Sequence, residues 1–203
     1  MNPKTSPLEG KEETKHRLIQ AVGDILATEG FQGLGVNKVA KRAGVDKVLI
    51  YRYFGGLPEL IIAFSQTVDF WPTLDELLGD EPEQLDNLGP SEQLAFFFKS
   101  YLGALRRRPA TINILLWKIS EYNELTKQIE SIQTRTALEF FERLEKIPDN
   151  HDLTAVVVLM FGAINHLMLQ YRKRRFIGGI DLNEEAGWVR IETGIDLLLQ
   201  GIF

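Results

Sequence analysis

Cysteine is absent from the 203 residues, and histidine, methionine and tryptophan occur only three times each. Without thiols there is no disulfide framework, no cysteine nucleophile and no cysteine zinc site. The histidines, His16, His151 and His166, show no metal-ligand spacing, so no metal or other cofactor is expected. Also missing are a Gly-x-Ser-x-Gly elbow, a phosphate-cradling glycine loop, a His-Glu-x-x-His motif and the pair of Glu-x-x-His motifs of di-metal bundles. These absences argue against an enzyme. The opening residues, MNPKTSPLEGKEETKHR, lack the apolar core of a signal peptide, and residues 1–13 read as a flexible polar arm. Strand-like alternation bounded by hairpin turns is not found either.

What remains is helical spacing, and the reading is all-α, with about nine helices. Leu18, Val22, Ile25 and Leu26 form one apolar stripe, ended by Gly30. Val36, Val39, Ala40 and Ala43 form a second, ended by Gly44. Val45, Leu49, Ile50 and Phe54 form a third, ended by Gly55-Gly56. A fourth helix opens at Pro58, carries Leu60, Ile61, Phe64 and Val68, and stops or kinks at Pro72. An acidic loop over 79–91 follows. Further helices are expected from about Glu92 to Arg107, Pro109 to Ser120, Tyr122 to Lys146, Leu153 to Lys173 and Glu184 to Gln200, with a break at 147–152. Net charge is −5, yet residues 1–60 hold nine basic against seven acidic side chains while the remainder is acidic. A slightly basic front on an acidic body suits nucleic-acid binding through a small module only.

In KVAKRAGVDKVLIYRYF (38–54) two short helices are joined at Gly44, the spacing of a helix-turn-helix. Ala40 gives the small residue that a steep crossing needs, and Gly44 tolerates a left-handed turn. The second helix can then enter a major groove. Asp46 is its expected N-cap, with Lys47 and Val48 next. Tyr51, Tyr53, Lys38, Lys41 and Arg42 are placed to bond phosphates. Residues 25–61, ILATEGFQGLGVNKVAKRAGVDKVLIYRYFGGLPELI, closely resemble the DNA-binding domain of the tetracycline-repressor-like (TetR) family of bacterial regulators. The features that carry this are Gly30-Phe31, Val39-Ala40, Ala43-Gly44-Val45 and Ile50-Tyr51-Arg52-Tyr53-Phe54.

That resemblance implies an all-helical homodimer. A helix-turn-helix domain (14–58) would bind a palindromic double-stranded DNA operator, and a C-terminal domain (59–203) would dimerise and bind a small effector that releases the operator. It places Lys47, Val48 and Leu49 near bases or backbone, and makes Tyr51 and Tyr53 phosphate clamps. Gly35, Asp46 and Leu57 depart from the family's usual Ser/Thr caps and helix-4 lysine. The expectation is therefore weaker nonspecific binding, with dependence on Lys38, Lys41, Arg42 and Lys47. A helical, dimeric protein-interaction module that does not bind DNA stands as the alternative; alanine at Lys47, Tyr51 and Tyr53 would leave it intact.

LTAVVVLMFGAINHLMLQY (153–171) carries no charge and nearly reaches bilayer length. Asn165 and His166 within it favour a helix buried between partners over a membrane span. Met160, Ala163 and Leu167 are assigned to a dimer interface, together with Gly187, Trp188, Ile191, Gly194, Ile195 and Leu198 of the last helix. Phe97, Tyr101, Trp117 and Phe141, with Asn113, Asn165 or His166 as polar anchors, are candidates for lining a pocket for an apolar or amphipathic effector. The basic runs 106–108 and 172–175 read as solvated helix ends.

Overall fold

The computed structural model describes residues 7–67, 69–80, 82–121, 123–143 and 152–201. Val68, Tyr122, His151 and the rest of 144–151, all used in the sequence reading, lie outside the described residues. In chain order the helices are α1 (Pro7–Glu29), α2 (Val36–Ala43), α3 (Val48–Phe54), α4 (Leu57–Ser65), α5 (Leu74–Leu78), α6 (Pro82–Leu85), α7 (Pro90–Arg106), α8 (Pro109–Ser120), α9 (Glu124–Arg143), α10 (Leu153–Tyr171) and α11 (Glu185–Gln200). Among the described residues, those of seven residues or more are nine, at the places the spacing predicts. The short α5 and α6 occupy the stretch read as a stop and a loop. The Thr73 hydroxyl caps α5 by accepting the Glu76 N–H at 3.2 Å.

Helix α1 starts at Pro7, inside the segment expected to be a flexible arm. Proline suits a first turn, and the Glu- and Lys-rich residues after it are strong helix formers. Lys15 pairs with Glu12 one turn away, at 3.0 Å. No apolar period marks residues 10–13, where Lys11, Glu12 and Glu13 are exposed.

Contacts divide the chain into two units: residues 1–71 with 108–133, and residues 72–107 with 134–203. The first unit gathers α1 to α4, α8 and the first half of α9, so compaction does not follow the sequence boundary at residue 58. Its core is Leu18, Val22, Ile25 and Leu26 of α1, Val39 and Ala40 of α2, Ile50 of α3 and Leu60 and Phe64 of α4, all buried. Helix α8 closes this core against the end of α1. Asn113 donates its side-chain N–H to the Leu26 carbonyl, and Trp117 stacks on Phe31 with ring centroids 3.7 Å apart. Thr111, on the same helix, donates its hydroxyl to the Phe70 carbonyl. Leu26 O also accepts the Gly30 N–H at 3.2 Å, so Asn113 supplies a second bond where α1 gives way to the Gly30 turn.

In the second unit α7 is the central helix, burying Leu94, Phe97, Phe98, Tyr101, Leu102 and Leu105. Phe140 of α9, Met160, Ile164 and Met168 of α10, and Trp188, Ile195 and Leu199 of α11 are buried with it. Helix α10 is, among the described residues, the one helix long and apolar enough to cross a membrane. Between α10 and α11 lies a hairpin that the sequence reading missed: β1 (Phe176–Ile177) pairs antiparallel with β2 (Ile180–Asp181). Its turn is Gly178-Gly179, with φ of 55° and 79°. A two-residue loop with both φ positive is the tight hairpin connection whose twist matches the strands.

The basic runs are largely solvated, with Arg107 and all of 172–175 exposed, but three of their arginines also make ion pairs. Arg175 forks onto Asp181 at 2.8 and 2.5 Å across the hairpin. Arg106 forks onto Glu185 at 3.2 and 2.7 Å, and Arg107 pairs with Glu76 at 3.0 Å.

Candidate nucleic-acid interface

Helix α2 ends at Gly44, whose φ of 68° and ψ of 36° are left-handed. There the Val45 N–H returns to Ala40 O at 3.0 Å, closing the turn as helix C-caps do. Only glycine adopts this backbone without strain. At the other end of α2 the expected absence of a side-chain cap is seen: Gly35 is extended and only its carbonyl serves the first turn.

Lys47, not Asp46, holds the N-cap position of α3 and makes no side-chain cap bond; Asp46, one residue earlier, still serves the first turn. Its carboxylate accepts the Val48 N–H at 2.8 Å, which occupies one oxygen and favours a negative charge at the positive helix end. Ile50 then turns inward and is fully buried, while Leu49 and Tyr53 are half-buried. Lys47, Val48, Tyr51 and Arg52 remain exposed. Val48 and Tyr51, three apart on one face, are 51% and 56% exposed. Leu49 is thus less available to a groove than the resemblance implies. Lys11 of α1 sits over the Tyr53 ring, 5.8 Å from its centroid. The sequence reading missed this residue because it falls in the segment taken as an arm.

The basic side chains divide into two groups. Lys38 pairs with Glu29 of α1, and Arg42 lies 3.6 Å from Glu29 and 3.8 Å from Asp24. Lys41, Lys47 and Arg52 have no ion-pair partner among the described residues. What this surface offers is three unpaired cations, a phenol and an apolar side chain around a short helix. That suits contact with an anionic backbone and base edges.

The residues expected to line a pocket fall into separate places. Phe97, Tyr101, Phe141 and Asn165 come together in the second unit. Phe97 stacks on Phe140 at 4.1 Å and lies 6.0 Å from Phe141. Phe161, which was not among the expected pocket residues, meets Tyr101 edge-on at 5.0 Å. The Tyr101 hydroxyl donates to Asn165 Oδ1 at 2.7 Å. Burial pushes this phenol well above its ordinary pKa. Asn113 and Trp117 are instead used inside the first unit, as described. His166 is exposed and lies 3.4 Å from Gln170.

The residues assigned to an interface divide similarly. Trp188 is buried in its own chain: its indole N–H donates to Leu182 O at 2.8 Å, and the Arg106 guanidinium lies 4.3 Å from its ring. A Cβ on Gly187 would lie 1.9 Å from Asp181 O, so this glycine admits the hairpin rather than another helix. Met160 and Ile195 are buried as well, and Leu167 and Ile191 half-buried. Ala163 and Leu198 are exposed, and Gly194 has open space beside it. The exposed side of α10 is Ala155, Val158, Leu159, Gly162 and Ala163, a 3-1-3-1 spacing that makes one stripe. On α11 the exposed apolar residues are Val189, Leu197 and Leu198.

Residues 18–64 match the family of bacterial regulatory proteins described as the tetR family. The chain is 26% identical over 161 residues to an uncharacterized HTH-type transcriptional regulator, YdeS of Bacillus subtilis (strain 168), covering 78% of this chain and 79% of the relative. It is 27% identical over 103 residues to the HTH-type transcriptional regulator HbdR of Aromatoleum sp. (strain CIB), covering 50% and 43%. Among solved structures it resembles the transcriptional regulator FadR of Bacillus subtilis in complex with stearoyl-CoA, with a TM-score of 0.64 and 19% identity over 91% of this chain and 96% of that one. It also resembles NalD, secondary repressor of the MexAB-OprM multidrug efflux pump in Pseudomonas aeruginosa, with a TM-score of 0.60 and 15% identity over 94% and 96%. At such identities the structural likenesses establish the fold.

Proposed function

We propose that this chain, whose residues 18–64 match the tetR family of bacterial regulatory proteins, is a dimeric repressor that leaves a palindromic operator when a small molecule binds. The observation that carries this reading is the outward face of α3, where Lys47, Val48, Tyr51 and Arg52 are exposed while Ile50 anchors the helix in the core. Lys41, Lys47 and Arg52 supply sequence-independent affinity through phosphates, and the first turn of α3 discriminates bases.

Two copies are needed for two half-sites about 34–36 Å apart. The apolar stripe on α10 and the exposed leucines of α11 suit association with a second copy, and Gly162 and Gly194 leave room for close approach. The effector of this reading is an amphipathic molecule with a long apolar part. The rings around Phe97 and the single polar pair Tyr101–Asn165 support it, as does the acyl-CoA complex of the structurally similar FadR. Release requires the effector to bind the two states unequally, with a coupling of about 1–3 kcal/mol.

The test is selection of fragmented genomic DNA on the purified protein at moderate salt. An enriched palindrome is the expected result. Retention of no DNA at low salt would instead favour the protein-interaction module.

A further inference from the structure

Val48 is not part of the buried core of its own chain. It is 51% exposed on α3, whose core contact is made by Ile50 two residues on. A β-branched side chain gains nothing there in helix propensity either. Its backbone, by contrast, is held firmly: the Val48 N–H donates to the Asp46 carboxylate at 2.8 Å. Lys47 and Tyr51 flank it on the exposed surface. In a major groove the polar positions of base edges call for donors and acceptors, and only the C5-methyl group of thymine is apolar. Asp46, whose carboxylate holds the Val48 N–H through one oxygen, offers only acceptors and no apolar surface.

We propose that Val48 reads the C5-methyl group of one thymine in each half-site. This rests on the DNA-binding reading above and gives that reading a chemical identity for one operator position.

The experiment uses the enriched operator with each thymine replaced in turn by deoxyuridine, which pairs identically but lacks the methyl group. The expected result is one symmetric position per half-site where the replacement weakens binding about fourfold, the worth of one buried methyl-sized group, the other replacements having little effect. In Val48→Ala, thymine and uracil should become equivalent at that position. Circular dichroism should show the same helix content, since Val48 supports no core. Neutral replacement at every thymine would overturn the inference, and so would a Val48→Ala variant that still tells thymine from uracil. Both outcomes leave the DNA-binding reading standing. Failure to enrich any DNA removes both and is visible at the first step.

Discussion

The carboxylate of Glu29, at the last position of α1, faces Lys38 and Arg42 of α2. A negative charge is unfavourable at a helix C-terminus, and exposed ion pairs contribute little to stability. The pairing matters more for the charges it neutralises. Four basic residues of the helix-turn-helix were expected to serve DNA alike, and the structure separates Lys38 and Arg42 from Lys41 and Lys47. In Glu29→Gln Lys38 is freed while Arg42 keeps Asp24, and binding to any duplex should tighten. The dependence of log K on log salt should also steepen by about one, which fluorescence anisotropy at several salt concentrations measures. Tighter binding with an unchanged slope would mean that Lys38 already reaches phosphates in the parent complex.

At the scale of elements, the hairpin between α10 and α11 carries the clearest pH signature. The hydrogen bond from Arg175 holds the Asp181 carboxyl below its ordinary range, and Arg106 does the same for Glu185. Because both folded values are depressed, the stabilisation is fully present above the ordinary carboxylate values of 3.8 and 4.5. It is lost as pH falls through the lower folded values. Asp181→Asn should therefore be less stable than the parent in urea at pH 7, and the two should converge in acid. Gly187→Ala, which drives a methyl group into Asp181 O, should cost about 3 kcal/mol at every pH. The same element shows where the sequence was legible. Stripes such as Leu18-Val22-Ile25 and the glycines after them announce helices, since an amphipathic period and a stop are both local. In RFIGGID each strand has two residues, too few for a period to register, and only the Gly-Gly pair signalled the turn. Helix α10 is apolar all round, so its sequence gives no phase, and Met160 was assigned outward although its own chain buries it.

The whole molecule joins a legible DNA head to a body whose contacts are decided at long range. Asn113 and Trp117 looked like pocket residues because their partners, Leu26 and Phe31, lie more than eighty positions away. Association of two copies is testable at this scale. Leu159 and Leu197 are 72% and 65% exposed, so Leu159→Glu with Leu197→Glu should leave the fold intact by circular dichroism. Sedimentation should then show a monomer, and operator affinity should fall more than about tenfold as half-sites are bound singly. A dimer that survives both changes would move the interface elsewhere. The division into units also bears on chain engineering. The backbone passes between the two units after Trp71, after Arg107 and after Gln133, so the DNA-binding head is not a contiguous cassette. A chimera cut after Trp71 would graft α1 without Asn113, which donates to Leu26 O, and Trp117, which stacks on Phe31. Exchanging operator specificity between such regulators therefore calls for transplanting the face of α3 alone, or for moving residues 108–133 together with the N-terminal helices.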